Sequence, residues 1–510
     1  MLPRHRPRLG VVASDLAYER ADVAASRWKP SSALRAVGDW AGRNGLLLFV
    51  VGLYAGALAG FGRAVVSVDS WLALVVGRLI AAHGLPTHDT LTVFSHGRRW
   101  VDQQWLAQAA FYELQRAGGI RLTVAAHVVL LVGSLAAATA VARGRGAGTR
   151  AVTIVTAVAF LPALISSFQL RTQSFAYPLF VALLAVAVSR KDLTWPRLAV
   201  ALGILCLWAN LHGSVILGAA LLALRGASDL LPDLRARRRP RLMALAAATL
   251  PWPCLLVTPF PGQIPHYYAT TVFNSSFQYL GQWQPTTLSL ASLPLFVLAF
   301  GFVWLVARSD SSLSRIEKLA GLLLVVFALL AVRNWVWLAL GAVALAPVAL
   351  DRASAKSRRP IPIALNQVCA IAGSLLAVIA AAILAAGHSS FNTTFPDPAA
   401  NAVSRLAAAN PSARIFASAR WGDWLLWKEP QLAGRVAYDA RAELFTTQQF
   451  KTIALARTTP AMLPELRRRY RIFLVDRTDE PAVYSTLRRE ARVAFDNGDT
   501  LVVSFPRRHP

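Results

Sequence analysis

The sequence predicts an α-helical polytopic membrane protein that ends in a soluble α/β domain. Three observations predict it. Hydrophobic residues make up 55% of the 510 residues and the mean hydropathy is +0.46, beyond ordinary soluble composition. Apolar runs of the roughly 20 residues needed to cross a bilayer recur between positions 45 and 386. From residue 388 onward the pattern changes to short apolar stretches separated by helical segments, the alternation of an α/β domain.

Taken in order, a basic segment, 1–44, precedes the first apolar run and contains no signal-peptide cleavage site. Spans are expected near 45–62, 120–142, 151–168, 174–189, 242–260, 288–307, 316–332, 334–350 and 361–386. With the stretch 198–224 this makes about 10–11 membrane segments. The net charge of +27 would suit a nucleic-acid binder, but its distribution argues otherwise. Lys and Arg crowd the connectors 143–150, 190–197, 225–241, 308–315 and 351–360, and are scarce at 169–173, 261–287 and 333. That is the positive-inside pattern. It predicts a multi-pass protein of the plasma (inner) membrane, with the N-terminus cytoplasmic. The basic charge then serves topology and contact with anionic lipids. No nucleic-acid partner is expected, because no aromatic-interleaved basic domain accompanies the charge.

The same rule bears on 198–224. Two short helices meeting at Asn210-Leu211-His212-Gly213 keep the basic cluster RARRRPR inside, and a broken backbone at depth is tolerated where it lines a protein cavity. A single tilted helix with a buried histidine is the alternative. The membrane domain thus covers 45–387. The outer face holds the first loop, 63–119, the connector 169–173, the loop 261–287 and the domain 388–510. In that domain, strands are expected at ARIFAS, RVAYD, RIFLVD and TLVVSF, with helices at 399–409, 461–470 and 481–490. Cys206, Cys254 and Cys369 lie in hydrophobic segments without metal-ligand spacing.

The chemistry-bearing residues sit on the outer face. The first loop carries Asp69, Asp89 and Asp102 beside Trp71, Trp100 and Trp105, and a plain connector would need no such set. Asp69 opens the helical run SWLALVVGRLIAAHG, closed by Gly84 and Pro86. It is either an N-cap or a general base. The run itself reads as an amphipathic interfacial helix, with Trp71 and Arg78 off its apolar side. Asp89 is either an Asx-turn residue or a hydrogen-bond partner for sugar hydroxyls. Arg171, in QLRTQ, and Arg333, in AVRNWVW, occupy tight outer turns. Each is a headgroup anchor or a phosphate ligand, since a guanidinium forks onto phosphate oxygens. Asn210 and His212, at the expected break, face a cavity or pack the bundle. The loop with His266, Tyr267, Tyr268, Phe277, Tyr279 and Trp283 is an interfacial belt or a stacking surface for sugar rings.

These residues carry a family resemblance. The stretch from Asp69 to Asp89 (D-x-W-x-x-L-x-x-G-R-x-I-x-x-x-G-x-P-x-x-D) is similar to a pattern of the GT-C superfamily of integral-membrane glycosyltransferases. So are Trp100 to Trp105, Arg171-Thr172-Gln173 and Trp208 to Gly213. In the soluble part, Trp421-Gly422-Asp423-Trp424-Leu425 and Tyr438-Asp439-Ala440-Arg441 add to it. More narrowly, the chain resembles the family-39-like bacterial relatives of the dolichyl-phosphate-mannose–protein mannosyltransferases. It departs from their pattern in having one acid at Ser67-Val68-Asp69-Ser70, Ala73 where a histidine is common, and Gln103-Gln104 in place of a His-Glu pair. The resemblance implies transfer of a sugar from a polyprenyl-phosphate carrier to a glycan, lipid or protein acceptor. It implies Asp69 as catalytic base, with Asp89, Arg171, Asn210, His212 and Arg333 binding substrate. No cofactor is expected, and a divalent metal is left open. A lipid-linked saccharide transporter (flippase) and a non-catalytic membrane scaffold are the rival expectations.

Overall fold

The computed structural model describes residues 32–61, 65–237, 239, 241–272, 281–308, 312–354, 361–386 and 395–506. Most of the basic segment 1–44, with Phe277, Tyr279 and the linker 387–394, therefore lies outside the described residues. Among the described residues six helices are long and apolar enough to cross a membrane: Gly38–Gly60, Trp105–Gly144, Thr149–Ser167, Val215–Arg235, Val332–Ala353 and Ile363–Ala386. Shorter apolar helices, among them Trp195–Ala209, Leu242–Cys254 and Leu293–Arg308, fill in between them. A mixed α/β domain follows. The expected fold class is the one observed.

Small residues bring the first and last membrane helices together. A Cβ on Gly373 would sit 2.6 Å from the backbone of Leu48, and one on Gly52 2.3 Å from the Gly373 carbonyl. Such close approach is how helices associate where water drives no burial. Asn366 adds polar bonds, accepting from the Leu46 amide at 3.0 Å and donating to the Arg43 carbonyl at 3.0 Å.

One expected boundary is corrected, and one expected break is observed. The span expected at 120–142 belongs to one long helical run, Trp105–Gly144, interrupted at Gly118 and Gly119, where φ turns to 68° at Gly119. The part before the break belongs to the first loop. The stretch 198–224 is two helices, Trp195–Ala209 and Val215–Arg235, meeting at residues 210–214. The break is held by the Trp208 indole, which donates to Ser214 Oγ at 3.1 Å. It packs on Trp337, ring centroids 5.8 Å apart. Gly218 leaves room for that indole, since a Cβ there would meet it at 2.8 Å.

The soluble domain holds a four-stranded sheet, β1 (Ile415–Ala417), β2 (Ile472–Asp476), β3 (Arg492–Asp496) and β4 (Thr500–Ser504), in the order β1-β2-β4-β3. β1 and β2 run parallel and the other pairs antiparallel. RVAYD forms no full strand. It stitches β1 to the first loop instead. Ala437 N–H donates to the Ile415 carbonyl at 2.9 Å, and Val93 and Phe94 N–H donate to Val436 and Ala437 carbonyls at 2.8 and 2.9 Å. The sheet therefore continues into the segment that follows the Val68–His83 helix.

Gly373→Leu should lower the apparent Tm in detergent by an amount matching about 1–3 kcal/mol of overpacking. An unchanged Tm would mean the two helices are not in close backbone contact.

Candidate functional site

The Val68–His83 helix begins with a capping box made by Ser67 and Ser70. Ser67 is the N-cap, and Asp69 stands in the first turn instead of capping the helix. Its carboxylate is freed from that local duty. Ser70 Oγ donates to the Leu170 carbonyl at 2.7 Å, and Leu170 N–H donates to the Val65 carbonyl at 2.8 Å. These bonds lay the 169–173 connector across the helix start. Arg171 Nε then reaches Asp69 Oδ2 at 2.9 Å. Arg171 also donates to Gln169.

Arg171 and Arg333 line one small cavity of about 80 Å³, together with Ser166, Phe168, Gln169 and Gln282. Arg333 lies in a single 3₁₀ turn, Val332–Asn334, and stacks on Trp283 at 4.3 Å. Among the described residues no carboxylate pairs with it. Its neighbours in electrostatic reach are Arg171, Asp69, Tyr267 and Tyr177. His212 feels both arginines. It accepts the Ser214 N–H through Nδ1 at 3.1 Å, which leaves Nε2 to carry the ring proton. Asp69, Arg171, Arg333 and His212 thus converge on one place. Two like charges set side by side and incompletely neutralised favour an anion between them.

Asp89 and Asn210 are used up elsewhere. The Asp89 carboxylate accepts from Leu91 N–H, Thr92 Oγ1 and Ser95 Oγ, each at 2.8 Å, and from Arg441. It is the turn residue, extended into a buried ion pair. Burial opposes its charge, but Arg441 and these hydrogen bonds overcome that and hold its pKa below the usual range. Asn210 accepts from the Trp105 indole at 2.9 Å and donates to the Cys206 and Val257 carbonyls at 2.9 and 2.7 Å. Both side chains are engaged in holding the protein together. Trp71 is likewise buried, packed on Phe395 at 5.0 Å. Arg78 donates to the Leu426 and Trp427 carbonyls. The Val68–His83 helix is therefore covered on its supposed open side by the soluble domain.

Several residues at this site were invisible as candidates in the sequence. Arg441, 1% exposed, bridges Asp89 and Asp439 and lies 4.4 Å over the Trp100 ring. Just after it, Glu443 accepts a hydrogen bond from the Trp100 indole. Asp102 is buried beside Gln103 and Gln108. The signal that could have found Arg441 was its place in the Tyr438–Arg441 motif. A second, larger cavity of about 800 Å³ lies at the far end of the Val68–His83 helix, lined by Leu79, His83, Pro86, His88 and Pro430. It is separate from the arginines. No group of three or more His, Cys, Asp or Glu among the described residues is placed to hold a metal ion.

No protein-family model matches the chain, and no curated protein matches it. Among solved structures it is similar to ArnT from Cupriavidus metallidurans in the apo state, with TM-score 0.51 and 16% identity, covering 92% of this chain and 100% of that one. It is similar also to the same protein bound to undecaprenyl phosphate, with TM-score 0.50 and 15% identity, over 94% and 100%. At such identities the likeness is one of fold, and it extends over the membrane region and the soluble domain together. The expected architecture, a polytopic helical region followed by a C-terminal α/β domain, is the one the chain adopts.

Burial pushes the carboxyls of Asp102 and Glu443 up to about 7. An unfolded carboxyl titrates near about 4. Between these values the folded chain keeps protons that the unfolded chain has lost, so stability falls as pH rises through the window and the loss is complete above it. Asp102→Asn or Glu443→Gln should therefore raise the apparent Tm at pH 8 and raise it much less at pH 5. Equal gains at both pH values would contradict the buried-acid assignment.

Proposed function

We propose that the protein is a membrane glycosyltransferase that moves a sugar from a polyprenyl-phosphate carrier to an acceptor at the outer face of the plasma membrane. The observation that carries this reading is that Arg171 and Arg333 line one cavity while Arg171 is ion-paired to Asp69. The fold supports it, being similar to a protein whose structure holds undecaprenyl phosphate.

In this mechanism the carrier phosphate lies between Arg171 and Arg333, whose guanidinium donors match phosphate oxygens. The acceptor hydroxyl attacks the anomeric carbon. Asp69 takes the hydroxyl proton, the new C–O bond forms, and the bond from that carbon to the phosphate oxygen breaks. The electron pair leaves with the polyprenyl phosphate, whose charge the arginines offset in a water-poor site. One displacement inverts the anomeric carbon. Arg171 has two tasks here. It orients Asp69 through their ion pair and it faces the phosphate. His212 presents a ring N–H for a substrate oxygen.

Asp69→Asn should lower transfer by roughly 10²–10⁴-fold, the usual contribution of a general base. Binding of undecaprenyl phosphate to the full-length protein in nanodiscs should be kept or strengthened, since a negative charge beside the arginines is removed. Arg333→Ala should weaken that binding about tenfold or more. Full transfer by the Asp69→Asn protein would remove the enzymatic reading and favour a transporter or a scaffold.

A further inference from the structure

Around Gly213, next to His212, lies a cluster of different chemistry. Asp102 is 2% exposed and Gln103 3% exposed. Asp102 Oδ2 and Gln103 Oε1 are both buried without a hydrogen-bond partner. Leaving such acceptors unmatched costs free energy, so a site that keeps several together implies donors that arrive with a ligand. Gln103 Nε2 is already committed, donating to the Ala209 carbonyl at 2.8 Å, which fixes Oε1 as the open atom. That atom lies 3.2 Å from the Cβ position of Gly213, and the Tyr267 hydroxyl lies 3.4 Å from the same point. A side chain at Gly213 would fill the space between them. Tyr267 in turn is in electrostatic reach of Asp102, Glu443 and Arg333. The open Gln103 acceptor and the Tyr267 hydroxyl thus face the same space beside Gly213, and Arg333 is among the electrostatic neighbours of that tyrosine. Glu443 enters from the soluble domain, carried there by the Arg441–Asp89 pair.

We propose that Asp102, Gln103 and Glu443 form a hydrogen-bond-accepting subsite for a neutral, hydroxyl-rich group, a proposal that rests on the transferase reading and names the sugar-binding wall of that same site. A cationic ligand suits it less well. Burial raises the Asp102 and Glu443 carboxyls to about 7, so the pair offers a cation less than two full negative charges, and the Arg333 charge stands near Tyr267. Hydroxyls donate to these oxygens without that cost. The subsite spans both domains, with two residues from the first loop and one from the soluble domain.

The test uses the full-length protein in nanodiscs and two readouts. In the first, binding of bare undecaprenyl phosphate is compared with binding of undecaprenyl phosphate carrying a hexose or an amino sugar. Asp102→Asn, Gln103→Ala and Glu443→Gln should each weaken binding of the hexosyl lipid about tenfold. Binding of the bare lipid should stay within about twofold, which also shows that the variants are folded. Equal losses for both lipids, or no loss for either, would overturn the subsite. A preference of the wild-type protein for the amino sugar that Glu443→Gln abolishes would overturn the neutral-ligand assignment. The second readout is carbodiimide labelling of Glu443, mapped by peptide mass spectrometry, and it does not depend on the phosphate. Protection by the hexosyl lipid alone assigns the subsite to the donor sugar. Protection by a soluble oligosaccharide assigns it to the acceptor. Protection by neither rejects the proposal. Should bare undecaprenyl phosphate fail to bind while the oligosaccharide protects Glu443, the carrier-phosphate reading falls and the hydroxyl subsite stands.

Discussion

One buried guanidinium holds the two parts of this molecule in register. Arg441 is 1% exposed and donates to Asp439 and to Asp89, with Trp100 beneath it. A charge removed this far from water is tolerated only when its counter-charges are fixed in place. Here the counter-charges come from both sides of a boundary, Asp89 from the first loop and Asp439 from the soluble domain. Removing Arg441 would leave two buried carboxylates uncompensated, a loss of about 3–5 kcal/mol. The pair therefore ties the position of the soluble domain to the conformation of the loop.

The rest of the site follows from that tie. Backbone bonds between residues 91–94 and 434–437 extend the sheet onto the loop. The 422–428 helix caps the Val68–His83 helix through Arg78, and a Cβ on Gly77 would sit 2.3 Å from the Gln108 carbonyl on its other side. A helix held on two sides presents its first turn at a fixed height, and Asp69 is in that turn. The 169–173 connector is laid on the same turn by Ser70. The carboxylate and guanidinium are pre-positioned by their surroundings.

Motifs far apart in the chain turn out to be partners. Asp423 of the Trp421–Leu425 motif accepts from the Ala440 amide at 3.1 Å. A Cβ on its neighbour Gly422 would meet the Tyr438 carbonyl at 2.8 Å. Trp105 pairs with Asn210, and Gln104 accepts from Thr172. Much of this dispersed set of polar residues ties the structure together. Asp89 and Asn210 are engaged in such ties. Arg171 and Arg333 face the cavity, with Asp69 paired to Arg171.

The sequence by itself determined the membrane class, most span positions, the break near Asn210 and the place of the soluble domain. Those are properties of local composition and period, which act within a window of some twenty residues. It also marked Asp69, Arg171 and Arg333 as charges in unusual positions. Less was legible where the decisive partner lies hundreds of residues away. β3 went unread although its RVAFD has the same pattern as RVAYD; it is an exposed edge strand whose pairing partner is β4. RVAYD read as a strand yet became a stitch between domains, since its hydrogen-bond partners are Ile415 and the first loop. Whether Asp89 met a sugar or Arg441 depended on burial. A carboxylate in a turn keeps its options in water, and only tertiary packing, by excluding water and supplying the guanidinium, commits it to one of them.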